Sequence, residues 1–97
     1  MRFVWDPDKN RKLIIERHIS FEQIVYHLGR GNLWKTMDHP NQEKYQGQRI
    51  FLVVIDSYIY MVPHRIDEDR VILKTIIPSR KYTKEFLRSQ ELSHEVQ

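Results

Sequence analysis

Residues 49–63 read RIFLVVIDSYIYMVP and decide the fold class. The first half, Arg49 to Ile55, is apolar on both faces of an extended chain, which predicts a central strand covered on both sides. Asp56 and Ser57 then predict a two-residue turn, although the usual glycine is missing. Tyr58 to Pro63 predicts the next strand. The stretch therefore predicts an antiparallel hairpin near the centre of a sheet.

On the C-terminal side of this hairpin, the sequence predicts more sheet and then a helix. Asp67 to Asp69 predict an acidic turn. Val71 to Ile77 predicts a further strand, which Pro78 is expected to end. Ser79 is the expected N-cap of a final helix that runs to about Gln90.

On the N-terminal side, a short strand at residues 3–5 precedes two predicted helices. Asp6 is the expected N-cap of the first helix, with Pro7 in the first helical position, and the helix should end near Arg17 or His18.

The second helix is predicted to begin after Ser20, which has the spacing of a capping box with Gln23. Leu33 to Met37 predicts a strand, and residues 39–47 predict a polar loop. The predicted order is β-α-α-β-β-β-β-α, an antiparallel sheet with helices packed on it, which is an α+β fold. The apolar residues of the second helix share one face: Phe21, Ile24, Val25 and Leu28.

Length and composition limit the possible classes of protein. The 97 residues predict one domain, 1–97, with 91–97 as a frayed tail. The absence of cysteine excludes disulfides, a thiol nucleophile and cysteine-ligated metal centres. A net charge of +3 permits a nucleic-acid partner without requiring one. The longest apolar run, Ile50 to Ile55, is too short for a membrane span, so a cytoplasmic protein without a membrane partner is predicted.

Basic residues cluster around the start of the final helix. Three of them follow the spacing i, i+4 and i+8, so they share one helix face, and the helix N-terminus adds free backbone N–H groups. An ordinary solvated surface is the alternative interpretation. The residues expected to converge on a phosphate are Lys74, Arg80, Lys81 and Lys84, with Arg88 and Arg49 as further RNA- or phosphate-binding candidates.

Three other side chains are possible acids or bases: His39, His64 and Tyr45. His64 is expected near the end of a strand, and His39 in the polar loop. The five histidines do not have the spacing of metal ligands, so neither a metal nor a cofactor is predicted.

Three motifs occur in order along the chain: FVWDPDKN at residues 3–10, ISFE at residues 19–22, and IIPSRK at residues 76–81, followed by Thr83 and Lys84. Together they resemble the BrnT-type toxins of bacterial type II toxin–antitoxin systems, over residues 3 to about 87. Family members share a W-D-x-x-K-N segment, a G-I-S-F-E element and an R-I-I-S-A-R-x-A segment. His18, Pro78-Ser79 and Lys74-Thr75 depart from these patterns, which suggests a divergent subgroup.

The resemblance implies a RelE-like fold and a metal-independent endoribonuclease that inhibits translation. It also implies a cognate antitoxin, often with a ribbon-helix-helix DNA-binding part, so that operator DNA is bound only through the toxin–antitoxin complex. Arg80 with Lys81 would stabilise the charged phosphorane, and Lys74 would assist proton transfer. Two alternatives stay open: a non-catalytic module that binds the antitoxin and regulates the operon, and a toxin with another target such as gyrase.

Overall fold

The computed structural model describes residues 1–96, and side chains up to Ser93. In this part, three helices pack on a six-stranded sheet, so the predicted α+β class is confirmed. The helices are α1 (Pro7–Arg17), α2 (Phe21–Gly29) and α3 (Arg80–Val96). The strands are β1 (Arg2–Val4), β2 (Leu33–Asp38), β3 (Arg49–Ile55), β4 (Tyr58–Asp67), β5 (Arg70–Leu73) and β6 (Ile77–Ser79).

The sheet is open, and its strand order is β1-β5-β4-β3-β2, with β6 paired to β4. All described pairs are antiparallel except β1 with β5. Since β5 and β6 both pair with β4, they follow one another along the same side of that strand. The long strand β4 is therefore the centre of the sheet.

The predicted hairpin is confirmed as β3 and β4. Its turn residues, Asp56 and Ser57, have φ angles of 51° and 63°. Positive φ at both central residues is the geometry of a type I′ turn, which matches the twist of the flanking strands. This turn fixes a register that pairs Ile55 with Tyr58 and Arg49 with His64.

Two predicted strand boundaries are wrong, and Pro63 explains the second of them. β4 does not end at Pro63 but continues to Asp67, because its last residues pair with β5. Pro63 accepts a hydrogen bond from the Lys74 N–H at 2.8 Å, so its missing N–H also faces this side of β4. Because that donor is missing, the hydrogen bonding along this side of β4 is interrupted at Pro63. The single strand predicted over 71–77 is therefore divided into β5 and β6.

The C-terminal boundaries also differ from the prediction. Pro78 does not end a strand but lies within β6, opposite Tyr60, on an edge where a proline is tolerated. The order after α2 is therefore five strands and one helix. Ser79 is the N-cap of α3, as predicted, because its Oγ accepts from the Tyr82 N–H at 3.1 Å. α3 continues to Val96, so the segment predicted as a frayed tail is helical as far as that residue.

The helices cover opposite faces of the sheet. On one face, α1 and α2 pack over Val53, Val62 and Leu73. On the other face, Tyr82 and Phe86 of α3 pack against the cluster formed by Ile50, Leu52 and Ile59. Successive side chains of β3 and β4 point to opposite faces of the sheet, and both faces are buried, as the apolar sequence of β3 predicts.

The two N-terminal motifs meet in the structure. Asn10, which is buried in α1, accepts a hydrogen bond from the Phe21 N–H at 2.8 Å and donates one to Glu22 at 2.6 Å. Trp5 stacks on Phe21 with ring centroids 5.6 Å apart. These residues of the WDPDKN and ISFE segments therefore join β1, α1 and α2, which is a structural role.

Thr83 connects α3 to the sheet through two buried hydrogen bonds. Its Oγ1 accepts from the Ile59 N–H at 2.8 Å and donates to the Ser79 carbonyl at 2.6 Å. We expect Thr83→Val to lower the free energy of unfolding by about 1–3 kcal/mol, because it leaves a buried N–H unpaired. Thr83→Ser is the matched control, since it keeps the hydroxyl. Urea denaturation measures both, and equal losses in the two variants would contradict the role of the hydrogen bonds.

Candidate functional site

The first turns of α3 carry the predicted cluster of basic residues on the surface. Arg80, Lys81, Lys84 and Arg88 are all exposed. The opposite side of the helix is fixed: Tyr82 and Phe86 pack on the sheet, and Phe86 meets Trp34 edge to face at 5.5 Å. The basic residues therefore stand on a rigid helix whose apolar side is already used.

Lys74 is also exposed, but it lies apart from the α3 residues. Its backbone bonds to Pro63, whereas Ser79, the residue before Arg80, pairs with Ile59. Four positions along β4 separate these points, which is about 13 Å at a rise of about 3.3 Å per residue. Convergence of Lys74 with the α3 cations on one phosphate stays a prediction, because it depends on where these long side chains end.

A second group of predicted residues lies at the other end of β4. Arg49, at the start of β3, pairs with His64 across the hairpin and with Asp38 across β2. The Arg49 Nε lies 3.2 Å from the Asp38 carboxylate, and the guanidinium remains about half exposed.

His39 and Tyr45 flank this end of the sheet. Their rings lie 4.3 Å apart between centroids, and His39 Nδ1 accepts from the Asn41 N–H at 3.1 Å. His39 follows Asp38, which faces the same side as Arg49, so strand alternation directs the His39 ring to the opposite face. The structure therefore does not place His39 beside His64.

His64 differs most from its predicted setting. It lies within β4 and is only 1% exposed. Its ring stacks on Phe51, with centroids 3.6 Å apart and planes 9° apart. Nδ1 is 3.0 Å from the Val62 carbonyl oxygen, which can only accept, so Nδ1 carries the proton.

Burial lowers the pKa of His64 below the ordinary value of 6.5, and the positive charge of Arg49 lowers it further. The hydrogen bond to Val62 acts in the opposite direction but is outweighed. His64 is therefore neutral at neutral pH, with its acceptor at Nε2.

This lowered pKa predicts a pH dependence of stability. Below pH 6.5 the unfolded chain binds a proton at His64 that the folded chain does not bind. The contribution of His64 is thus complete above pH 6.5 and is lost as the pH falls toward the lower folded-state pKa. Urea midpoints should fall between about pH 7.5 and about pH 5.5 in the wild type, and less in His64→Asn. Equal pH slopes in the two proteins would contradict the lowered pKa.

Sequence reasoning missed two members of this second group, Asp38 and Phe51. The signal for Phe51 was present in the turn, whereas Asp38 lies on β2, whose register this turn does not set. Counting back from Asp56 and Ser57 pairs Arg49 with His64 and Phe51 with Val62. Ending the strand at Pro63 concealed the pairing of Arg49 with His64.

Scans against family models, curated proteins and solved structures gave no match to this chain. Among the described side chains, those of residues 1–93, no group of three or more His, Cys, Asp or Glu is arranged to hold a metal ion. None of the helices in the described range is long and apolar enough to cross a membrane.

Proposed function

We propose that this protein is the toxin of a bacterial type II toxin–antitoxin pair, and that it cleaves RNA without a metal ion. The observation that carries the proposal is the row of exposed cations on α3, Arg80, Lys81, Lys84 and Arg88, on a helix held rigidly by its other face. The proposal also rests on the resemblance of three motifs to BrnT-type toxins and includes a RelE-like fold. The α+β architecture with a mostly antiparallel open sheet is compatible with it.

Metal-independent RNA cleavage needs three functions from the protein. A base accepts the 2′-OH proton, cations stabilise the charge on the phosphorane, and an acid protonates the leaving 5′-oxygen. Arginine suits the second function because its planar fork of donors matches phosphate oxygens. Arg80 and Arg49 both provide an exposed guanidinium, at opposite ends of β4.

The cation row also suits the proposed partners. An acidic segment of an antitoxin would cover the same face and so block RNA, while operator DNA would be bound only through the complex. The cognate antitoxin is proposed to be a ribbon-helix-helix or similar DNA-binding protein.

The test of the function is RNA cleavage by the purified, antitoxin-free protein in EDTA. We expect free or ribosome-bound RNA to be cut to products with 2′,3′-cyclic phosphate ends. The control is the same assay after addition of the antitoxin, which should stop cleavage. Loss of cleavage in EDTA with activity restored by Mg²⁺ would contradict the metal-independent chemistry.

A non-catalytic antitoxin-binding module is the second candidate, and one observation favours it. Ile15 on α1 is 75% exposed and its neighbour Ile14 is 46% exposed, which is apolar surface suited to a protein partner. Intact RNA with and without ribosomes would support this candidate. Broken or relaxed DNA with intact RNA in intoxicated cells would instead point to a toxin with a target such as gyrase.

A further inference from the structure

A register shift in β2 places two adjacent side chains on the same face of the sheet. Leu33 pairs with Val53, and Lys35 pairs with Leu52. Since Val53 and Leu52 are consecutive in β3, Trp34 is the extra residue of a β-bulge. In a regular strand Trp34 and Lys35 would point to opposite faces. Here both lie on the face that α3 covers, and the Lys35 Nζ is 4.5 Å from the centre of the Trp34 ring.

The row of cations on α3 leads to this pair. α3 begins beside β4, where Ser79 pairs with Ile59, and its Phe86 meets the Trp34 ring edge to face at 5.5 Å. The helix therefore crosses the sheet toward β2. The exposed Arg88 follows Phe86 by about 3 Å along the helix axis. The cation row thus ends close to the strand that carries Trp34.

An aromatic ring beside a free ammonium is suited to bind a nucleotide. Trp34 is half-buried against Phe86, whereas Lys35 is exposed and belongs to none of the ion pairs found among the described side chains. An exposed ammonium is held only weakly over a ring, and a nucleic-acid base stacks on the ring more strongly. A base can therefore replace the ammonium on Trp34, while Lys35 turns to the adjacent phosphate.

A polypeptide strand is the alternative occupant, because β2 is the last strand of its sheet. However, a bulge and a lysine are features by which natural sheets discourage pairing at an edge. The bulge interrupts the regular spacing of backbone groups on β2, and Lys35 favours an anionic ligand. A nucleic-acid strand suits both features, because it binds through its bases and phosphates and needs no backbone hydrogen bonds.

We propose that Trp34 and Lys35 form a stacking site for one nucleotide of single-stranded RNA, which continues the phosphate-binding row of α3 to the edge of the sheet. The proposal rests on the proposed ribonuclease function and names the form of RNA that this surface binds. The bases of a duplex are already stacked on one another, so an unpaired base is required. Since every base has an aromatic face, the site tolerates any sequence.

The test measures binding, with an RNA that the proposed chemistry cannot cleave. The probe is a single-stranded oligouridylate of about 12 nucleotides, the length scale of single-strand sites, with 2′-O-methyl groups throughout. The anisotropy of a 5′-fluorescein label gives Kd, and the unlabelled probe is used to follow tryptophan emission. We expect the probe to quench the emission of the wild-type protein as binding saturates. The same oligomer annealed to its complement should quench it less.

The variants separate stacking from folding. Trp34→Phe keeps a ring against Phe86 and leaves only Trp5 to emit, which stacks on Phe21 under the other face of the sheet. It should bind with a Kd near that of the wild type but without quenching. Trp34→Ala should raise Kd by about 10-fold or more, the effect of losing one stacked base.

Tyr26→Ala is the matched control. Tyr26 also has a cation over its ring, with the Arg30 guanidinium carbon 5.7 Å from the ring centre. It is exposed on α2, which packs on the opposite face of the sheet from α3. Its replacement should leave Kd unchanged.

The outcomes separate this site from the function on which it rests. Saturable binding without quenching in the wild type, quenching by the duplex equal to that by the single strand, or no binding at all would overturn the site. So would a folded Trp34→Ala variant with the wild-type Kd. RNA cleavage in EDTA alongside any of these results would leave the ribonuclease proposal standing. Quenching without cleavage would overturn the ribonuclease and keep the site. The quenching measurement on the wild type decides even if Trp34→Ala does not fold.

Discussion

Cells that produce the Arg80→Ala, Lys81→Ala double variant without antitoxin are expected to keep growing, whereas cells that produce the wild type arrest. Both side chains are exposed in the first turn of α3, so their loss removes two phosphate-binding cations without disturbing the core. Growth curves and total RNA integrity measure the effect. Circular dichroism of the purified variant checks that the helix is retained.

The chain contains a matched control for this experiment. Arg11 and Lys12 are also an adjacent, exposed Arg–Lys pair on a helix, in α1. The double variant Arg11→Ala, Lys12→Ala removes the same charge and also breaks the ion pair of Arg11 with Asp8, which is exposed and contributes little. It should remain toxic. If both double variants lose toxicity equally, net charge matters and the α3 surface does not.

The salt dependence of RNA binding tests how the α3 cations act. If Arg80 and Lys81 each contact one phosphate, the slope of log K against log salt should fall by about 2 in the double variant. KM should rise while kcat stays near the wild-type value. A fall in kcat at unchanged KM would instead show that Arg80 acts at the cleaved phosphate.

Phe21→Ala is expected to cause the largest loss of stability, about 3–5 kcal/mol. Phe21 is fully buried, stacks on Trp5 and follows the capping residue Ser20 at the start of α2. Truncation leaves a cavity where α2 meets the sheet and removes the surface that supports Trp5. The loss is a large part of the roughly 5–15 kcal/mol that stabilises a typical domain. Urea denaturation followed by tryptophan fluorescence measures it.

Ile15→Ala is the control for this change. Ile15 is 75% exposed, so the same kind of truncation should alter the free energy of unfolding by less than about 0.5 kcal/mol. A loss in Ile15→Ala that approaches that of Phe21→Ala would show that Ile15 is covered in solution, for example by a second copy of the chain.

In the N-terminal motifs, the helix caps could be predicted from local sequence, whereas the contacts between helices could not. The caps of α1 and α2 could be read from Asp6-Pro7 and from Ser20 with Gln23, because a cap depends on a few adjacent residues. The contact of Asn10 with Phe21 and Glu22 could not, because it depends on the packing of one helix against the next. The structure thus gives the WDPDKN and ISFE segments a role in folding.

The sequence by itself determined the α+β class, the three helix starts and the β3–β4 hairpin, since each follows from periodicity, caps or a turn of neighbouring residues. Only the tertiary structure decided which cations are near each other. The missing N–H of Pro63 divides the next strand, so that Lys74 lies opposite Pro63 outside any strand while Ser79, the residue before Arg80, pairs with Ile59 in β6. The hairpin register buries His64 beside Arg49. Pairing between strands determines which of these residues are neighbours, and their separation along the chain does not reveal it.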